Sequence, residues 1–202
     1  MNAQLRTLDV SRLAPGAYGH RSIQWWGTMG IVIIEGMAFA ITIGAYFFLR
    51  TRITHWPPPN VVPPSLRWGT LNTLVLLASA IPNELAKRAS ERVDLAKVRL
   101  WLIVCMVFGM AFNAIRWFEF ATLNVRWDQF AYGSITWFLL GLHTTHIVTD
   151  VLDTGVLTVL MFTGPIEEKR FVDVSENAFY WYFVVLAWLP IYGVIYWAPR
   201  LL

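Results

Sequence analysis

Residues 132–153, with the sequence YGSITWFLLGLHTTHIVTDVLD, restrict the possible folds of this chain more than any other stretch. The segment is long enough to cross a lipid bilayer, because a membrane helix needs about 20 mostly apolar residues. Two ionisable side chains, His143 and His146, lie near its middle. Histidines at that depth cost free energy unless they face protein or a water-filled cavity, and their i, i+3 spacing places both on one helix face. We therefore expect this face to be turned inward, toward other helices or a partner.

The composition of the whole chain is that of a membrane protein. Of its 202 residues, 56% are hydrophobic and 14% are charged, whereas about 25% of the residues of a soluble domain are charged. Eleven tryptophans fit this class, because Trp gathers at the headgroup layers of a bilayer. The basic residues are spread over short loops, so we expect no nucleic-acid surface. The single cysteine, Cys105, lies within an apolar run and is interpreted as a small buried hydrophobe.

Five apolar runs predict an all-α, polytopic membrane helix bundle with five transmembrane helices. The predicted helices cover residues 24–49, 66–85, 100–120, 132–162 and 177–197. Residues 24–202 are predicted to form one domain.

The segments between the helices are predicted from their proline and charge content. Residues 1–23 are predicted to be a polar cytoplasmic arm, and they lack the apolar core of a secretory signal. The prolines of residues 51–65 favour an extended loop, and Pro82 is expected to kink or end the second helix. The charged residues 87–99 and the polar residues 163–174 are predicted to be loops.

The basic residues indicate the orientation of the bundle. An odd number of spans places the two termini on opposite sides. Of the 16 basic residues, three lie in residues 1–23, five in residues 86–99 and two in residues 163–176, all on the N-terminal side. Because cytoplasmic loops carry an excess of Lys and Arg, we expect the N-terminus to be cytoplasmic.

Besides the two histidines, five ionisable residues lie within or near the predicted membrane helices. Glu35, at the middle of the first helix, could relay protons, anchor a lipid or a neighbouring helix, or be a protonated carboxyl hydrogen-bonded within the bundle. Asp150 and Asp153 could begin a proton path, but the favoured interpretation is that they reach the inner interface or pair with Lys or Arg. Arg116 and Glu119 are expected to form a local ion pair near the outer surface, which contributes little free energy if exposed.

A metal or haem site within this chain is not expected. His143 and His146 could share an ion, but the sequence has no Glu-x-x-His, which di-iron helix bundles use. The other two histidines, His20 and His55, lie outside the predicted helices, so no second helix offers a haem ligand. We therefore interpret His143 and His146 as hydrogen-bonding between helices. No complete catalytic constellation is present, so the residues alone predict a subunit of something larger.

The segment DQFAYGSITWFLLGLHTTHIV resembles the signature of subunit III of the haem–copper terminal oxidases, with its Y-G-S and G-x-H-x-x-H motifs. Four further segments resemble family motifs in the same order. They are IIEGMAFA, HWPPP followed by LNTLVLLAS, RWFEF, and SENAFYWYFVVLAW. The likeness covers about residues 24–197, which is nearly all of the chain.

The resemblance implies a non-catalytic membrane subunit. Subunit III of that family carries no haem or copper, packs against the catalytic subunit I, holds phospholipids in a cleft and supports proton uptake. By this resemblance, the chain would be part of a respiratory cytochrome c oxidase in a bacterial plasma membrane. Haem and copper would belong to its partner subunits. Glu35, His143 and His146 match the family's lipid- or proton-related residues, and no residue is catalytic.

The chain also departs from the family pattern. Ile34 stands where the family has Ser, and Tyr182 and Val185 stand where its last helix usually has His and Asp. The two first helices of the seven-helix form have no counterpart in this sequence. Five-helix relatives also occur in quinol oxidases and as assembly or activation proteins of nitric oxide reductases, and both alternatives stay open. A transporter is disfavoured because no inverted repeat is present.

Overall fold

The computed structural model describes residues 18–201 as a bundle of five long α-helices. They are α1 (Ile23–Arg52), α2 (Leu66–Glu91), α3 (Leu95–Ala121), α4 (Ala131–Thr163) and α5 (Glu168–Tyr192). A 3-10 turn, Gly19–Arg21, precedes α1. Helix α5 continues through a π-helical turn, Gly193–Trp197, into a last helical turn, Ala198–Leu201. Most of the arm predicted at residues 1–23 lies outside the described residues.

Two of the predicted loops are largely helical. Only Arg92, Val93 and Asp94 separate α2 from α3, so most of the predicted loop at residues 87–99 belongs to the two helices. Asp94 begins α3 as its N-cap, since its Oδ1 accepts a hydrogen bond of 3.2 Å from the Lys97 N–H. Helix α5 likewise begins at Glu168, inside the predicted polar turn. Charged residues such as Glu, Lys and Arg are good helix formers. Their appearance in the sequence therefore shows where the helix leaves the membrane for water, and not where the helix ends.

Pro82 does not end α2, which continues to Glu91. The residue is buried within the bundle. Membrane helices tolerate an internal proline where neighbouring helices and side chains satisfy the freed backbone groups.

The bundle is a polytopic membrane protein. Four of its helices, namely α1, α3, α4 and α5 with its extension, are long and apolar enough to cross a membrane. Helix α2 has 26 residues, which is about 39 Å at the α-helical rise, but it carries more polar and charged side chains. Helix α1 buries only Phe39, Thr42 and Tyr46, so most of its apolar surface faces away from the bundle.

Successive helices run antiparallel. At one end of the bundle, Arg99 at the start of α3 donates a hydrogen bond of 2.8 Å to the carbonyl of Met161 near the end of α4. At the other end, Arg200 donates a hydrogen bond of 2.6 Å to the carbonyl of Pro64, just before α2. Helices α1, α3 and α5 begin at the first of these ends, and α2 and α4 end there. We call it the basic end, after the Lys and Arg residues of the segments that it contains. The basic segments at residues 86–99 and 163–176 therefore meet at one end.

Helix α5 lies at the centre of the packing, in contact with α1, α2 and α4. Helix α3 packs between α2 and α4, and α1 covers α4 and α5. The core between them is built from large side chains with almost no exposure, including Tyr46, Leu139, Ile147 and Trp188. This arrangement brings polar residues of α2, α3, α4 and α5 to one place.

The proline-rich loop and the Y-G-S motif pack together at the end opposite the basic end. The Trp56 ring lies edge-on between the rings of Tyr46 and Tyr132, each at a centroid distance of 5.2 Å. Next to Tyr132, a Cβ atom on Gly133 would lie 2.1 Å from the Arg126 carbonyl oxygen. Only glycine allows the loop before α4 to approach the helix so closely.

Candidate functional site: two polar clusters on helix four

His143 and His146 both point into the bundle, but they serve different clusters. His143 has no exposed surface and lies between α3 and α5. The His146 side chain keeps 11% exposure and faces Glu35 on α1. The inward orientation predicted from their spacing is confirmed, and the partner of His143 is the chain's own bundle.

The hydrogen bonds of His143 define its tautomer. Its Nε2 lies 3.1 Å from the carbonyl oxygen of Val184, and its Nδ1 lies 3.3 Å from Nη2 of Arg116. A carbonyl oxygen can only accept and a guanidinium can only donate. Nε2 therefore carries the proton, Nδ1 accepts from Arg116, and the imidazole is neutral. In this state His143 links α3, α4 and α5.

Arg116 and Glu119 form the expected local ion pair, but both side chains are buried and not exposed. Nη1 of Arg116 lies 2.8 Å from Oε2 of Glu119, and their side chains are 2% and 0% exposed. Asn72 donates a further hydrogen bond of 2.8 Å to Oε2, and the Tyr196 hydroxyl donates to Oε1. With His143, these four residues form what we call the Arg116 cluster. Such charges in the interior need this many partners, because their desolvation is costly.

Aromatic rings and a glycine complete the enclosure of the Arg116 cluster. The guanidinium carbon of Arg116 lies 4.3 Å from the ring centre of Trp188, and Trp188 donates a hydrogen bond of 2.8 Å to Thr73. A Cβ atom on Gly69 would lie 2.4 Å from the ring of Tyr196. The L-N-T motif thus supplies Asn72 to the carboxylate and Thr73 to the tryptophan. Gly69 lies one turn before this motif, and because it has no side chain, the Tyr196 ring can pass it and reach Glu119.

Glu35, His146 and Tyr180 form a second group, which we call the Glu35 cluster. The Tyr180 hydroxyl donates a hydrogen bond of 2.7 Å to Oε2 of Glu35, and Nε2 of His146 lies 3.6 Å from the same oxygen. Nδ1 of His146 donates to the carbonyl of Leu142 at 2.7 Å. Nε2 therefore faces the carboxyl group as a lone pair or as the second N–H of an imidazolium.

The Glu35 cluster borders an open cleft between α1, α4 and α5. The cleft has a volume of about 650 Å³. Its ionisable lining consists of Glu35, Asp150, Asp153, Arg170, Asp173, Glu176 and Tyr180. Apolar side chains such as Ile31, Val156 and Leu160 line the rest. The cleft is therefore acidic along one part and apolar along another. Arg116 also borders a separate pocket, but its side chain is only 2% exposed.

The position of Asp150 contradicts the prediction that it reaches the inner membrane interface or pairs with Lys or Arg. It is 3% exposed, so it does not reach an interface, and no Lys or Arg within residues 18–201 forms an ion pair with it. Asp153 is exposed to the cleft one turn later. The sequence could not separate the two residues, because both belong to the same apolar helix.

Sequence reasoning missed Tyr180 and Tyr196 altogether. Both are aromatic residues in an apolar helix, so only their hydroxyl partners distinguish them from core side chains. For Glu119 a signal was present, since a carboxylate three residues after an arginine inside an apolar run needs that arginine if both are buried.

Residues 18–201 contain no group of three or more His, Cys, Asp and Glu side chains placed to hold a metal ion. His143 uses both ring nitrogens within the bundle. We assign no metal or haem ligand to this chain.

Comparison with known proteins gives a consistent family. Residues 20–199 match the family model described as Cytochrome c oxidase subunit III. A cytochrome c oxidase subunit 3 from Synechocystis sp. is 23% identical over 97% of this chain and 84% of its own length. A probable cytochrome c oxidase subunit 3 from Mycobacterium bovis is 28% identical over 84% of this chain and 85% of its own length. A cytochrome c oxidase subunit 3 from Thermostichus vulcanus is 24% identical over 89% of this chain and 90% of its own length.

A family match over almost the whole chain, a five-helix membrane bundle and the ordered motifs lead to the same conclusion. The chain belongs to the cytochrome c oxidase subunit III family, as a multi-pass membrane subunit of the respiratory chain.

Proposed function

We propose that this chain is a non-catalytic subunit that stabilises the catalytic subunit I of a cytochrome c oxidase, binds phospholipid in the cleft between α1, α4 and α5, and supports proton uptake. The contrast between the two polar clusters carries the proposal. The Arg116 cluster is enclosed, with the side chains of Arg116 and Glu119 2% and 0% exposed and joined by an ion pair, as expected of a structural element. The Glu35 cluster is half open and borders a cleft with apolar walls.

The three residues predicted from the sequence take different roles in this proposal. Glu35 lines the cleft, where a lipid headgroup or a proton from the aqueous side can reach it, and His146 contacts Glu35 from within the bundle at 3.6 Å. His143 is enclosed, so we assign it the task of holding α3, α4 and α5 in register. Haem and copper belong to partner subunits, and the outer faces of α1 are available to contact them or lipid.

We further propose a bacterial plasma-membrane location with the basic end in the cytoplasm. Ten of the 16 basic residues belong to the segments of that side, and these segments meet at one end of the bundle. Such an excess is typical of cytoplasmic loops.

The function is tested with Glu35→Ala in the complex that copurifies with this chain in mild detergent. We expect unchanged haem content, fewer bound phospholipids and a loss of activity during sustained turnover. The matched control is Glu84→Ala, because Glu84 also accepts a tyrosine hydrogen bond, from Tyr182 at 2.6 Å, but lies on α2 away from the cleft. Equal effects of both variants would overturn the assignment of Glu35 to the cleft function.

A reduced-minus-oxidised visible spectrum of the same preparation tests the partners. Haem bands with a carbon-monoxide-sensitive centre are expected if the chain is assembled with an oxygen-reducing subunit. The spectrum of a nitric oxide reductase would contradict the proposal. A haem-free preparation would also contradict it, provided that the same native membranes retain oxidase activity in other fractions.

A further inference from the structure

A buried carboxyl group outside both polar clusters lies on α4, one turn beyond His146. Asp150 is 3% exposed, and its Oδ2 accepts no hydrogen bond from any residue in the described part of the chain. The Oδ1 atom of Asn177, on the facing helix α5, is likewise buried without a partner there. An unpaired buried oxygen is unfavourable, so two such oxygens on facing helices that line the same cavity point to a shared ligand.

Asp150 and Asn177 form the wall between two spaces. On one side is the open acidic cleft between α1, α4 and α5. On the other is an internal cavity between α2, α3, α4 and α5, which both residues also line. The cavity walls include the polar side chains of Ser79, Asn83 and Thr154. These two residues are thus in reach of a ligand from either side.

The cavity has the size and the chemistry for one water molecule. It leaves about 20 Å³ for the centre of a water molecule, and about 10–15 Å³ is sufficient for one. A water has two protons to donate, which matches the two unpaired acceptors. The Thr154 hydroxyl already accepts a hydrogen bond of 2.9 Å from Nδ2 of Asn177. A metal ion fits less well, because no group of three His, Cys, Asp or Glu side chains surrounds the site within residues 18–201.

The charges around Asp150 favour its neutral form. The ionisable groups that face it or line the two spaces are Glu35 from α1, Cys105 from α3, Asp153 from α4, and Arg170, Asp173, Glu176 and Tyr180 from α5. Helix α2 contributes only uncharged Ser79 and Asn83. The one cation among them, Arg170, lies 3.8 Å from Asp173. A carboxylate inside a membrane helix without a counter-charge is costly, so the group retains a proton.

We propose that Asp150 and Asn177 form a site for one proton and one water molecule between the acidic cleft and the internal cavity. The proton on the Asp150 carboxyl passes through water of the cleft to a carboxylate there, such as Asp153, leaving Asp150 as the anion, and returns by the same path. The site rests on residues of this chain alone. It does not depend on whether Glu35 binds lipid or on which subunits surround the bundle.

Infrared difference spectroscopy of the purified complex tests the site. A neutral carboxylic acid has a C=O stretching band above the amide region that shifts on exchange into heavy water. We expect Asp150→Asn to lack one such band, which then appears as a positive band in the wild-type-minus-variant spectrum. The matched control, Asp153→Asn, removes a carboxyl one turn away on the same helix and is expected to leave that band in place. An unchanged acid band in Asp150→Asn would overturn the proton site.

The water is tested separately with Asn177→Leu. We expect this variant to keep the acid band of Asp150, at a shifted position, and to lose a water O–H band that is identified by its shift in ¹⁸O-labelled water. A water band unchanged in both Asn177→Leu and Asp150→Leu would overturn the water site. If Asp150→Asn fails to assemble, Asp150→Glu replaces it, because this variant keeps a carboxylic acid at the site. We expect Asp150→Glu to shift the C=O band of the acid. An unshifted band would show that the band does not belong to Asp150.

Discussion

Arg116 and Glu119 form an ion pair that has almost no contact with the surroundings of the bundle. Their side chains are 2% and 0% exposed, and the Nη1–Oε2 distance is 2.8 Å. The pair lies within α3, yet its other partners come from α2, α4 and the end of α5. A contact that is local in sequence therefore holds four helices together.

Removal of one member of this pair should destabilise the bundle strongly. We expect Arg116→Leu to lower the free energy of unfolding by about 3–5 kcal/mol, because Glu119 is then a buried charge without its cation. The double variant Arg116→Leu, Glu119→Leu should lose less than Arg116→Leu alone. Thermal or detergent-induced unfolding of the purified protein measures both. A double variant less stable than the single one would show that the pair itself, and not the unpaired charge, dominates.

The two histidines of α4 should differ in their effect on stability. His143→Leu removes hydrogen bonds to Nη2 of Arg116 and to the carbonyl of Val184 on two other helices. The buried guanidinium nitrogen then lacks this partner, at a cost of about 1–3 kcal/mol. His146→Leu removes a hydrogen bond to Leu142 within its own helix and a contact with Glu35. We expect His143→Leu to lower the unfolding temperature clearly more than His146→Leu. Equal losses would contradict the separation into two clusters.

Gly69 is predicted to be intolerant of any side chain. In Gly69→Ala the new methyl group would lie 2.4 Å from the Tyr196 ring, which must move away from Glu119. Overpacking of this kind costs about 1–3 kcal/mol. The control is Gly44→Ala on α1, where a Cβ meets no atom within 4 Å, and we expect it to be neutral or slightly stabilising. Thermal unfolding of both variants decides the question.

The orientation of the bundle can be measured with single cysteines in a Cys105→Ala background. Val62 in the loop before α2 is 68% exposed, and Val93 in the loop after α2 is 48% exposed. With the basic end in the cytoplasm, a membrane-impermeant maleimide should label Val62→Cys in intact cells and Val93→Cys only after permeabilisation. The reverse pattern would place the basic end outside.

The sequence by itself determined the class of protein and the number of helices. Apolar runs longer than about 20 residues have few stable forms other than membrane helices. The spacing of His143 and His146 also predicted correctly that both point inward. Helix ends at the charged segments were misplaced, because charge marks where a helix meets water and does not require it to stop there.

Only the tertiary structure decided which polar residues are enclosed and which remain accessible. The sequence places Arg116 and Glu119 near a helix end and Asp150 in the middle of an apolar run, and from this pattern all three could be surface groups or buried ones. Burial depends on which neighbours cover a face, and those neighbours lie 27 to 77 residues away in the hydrogen bonds of the Arg116 cluster. Periodicity reports the direction of a side chain from its own helix axis, but the partner that it meets is set by the packing of the other helices.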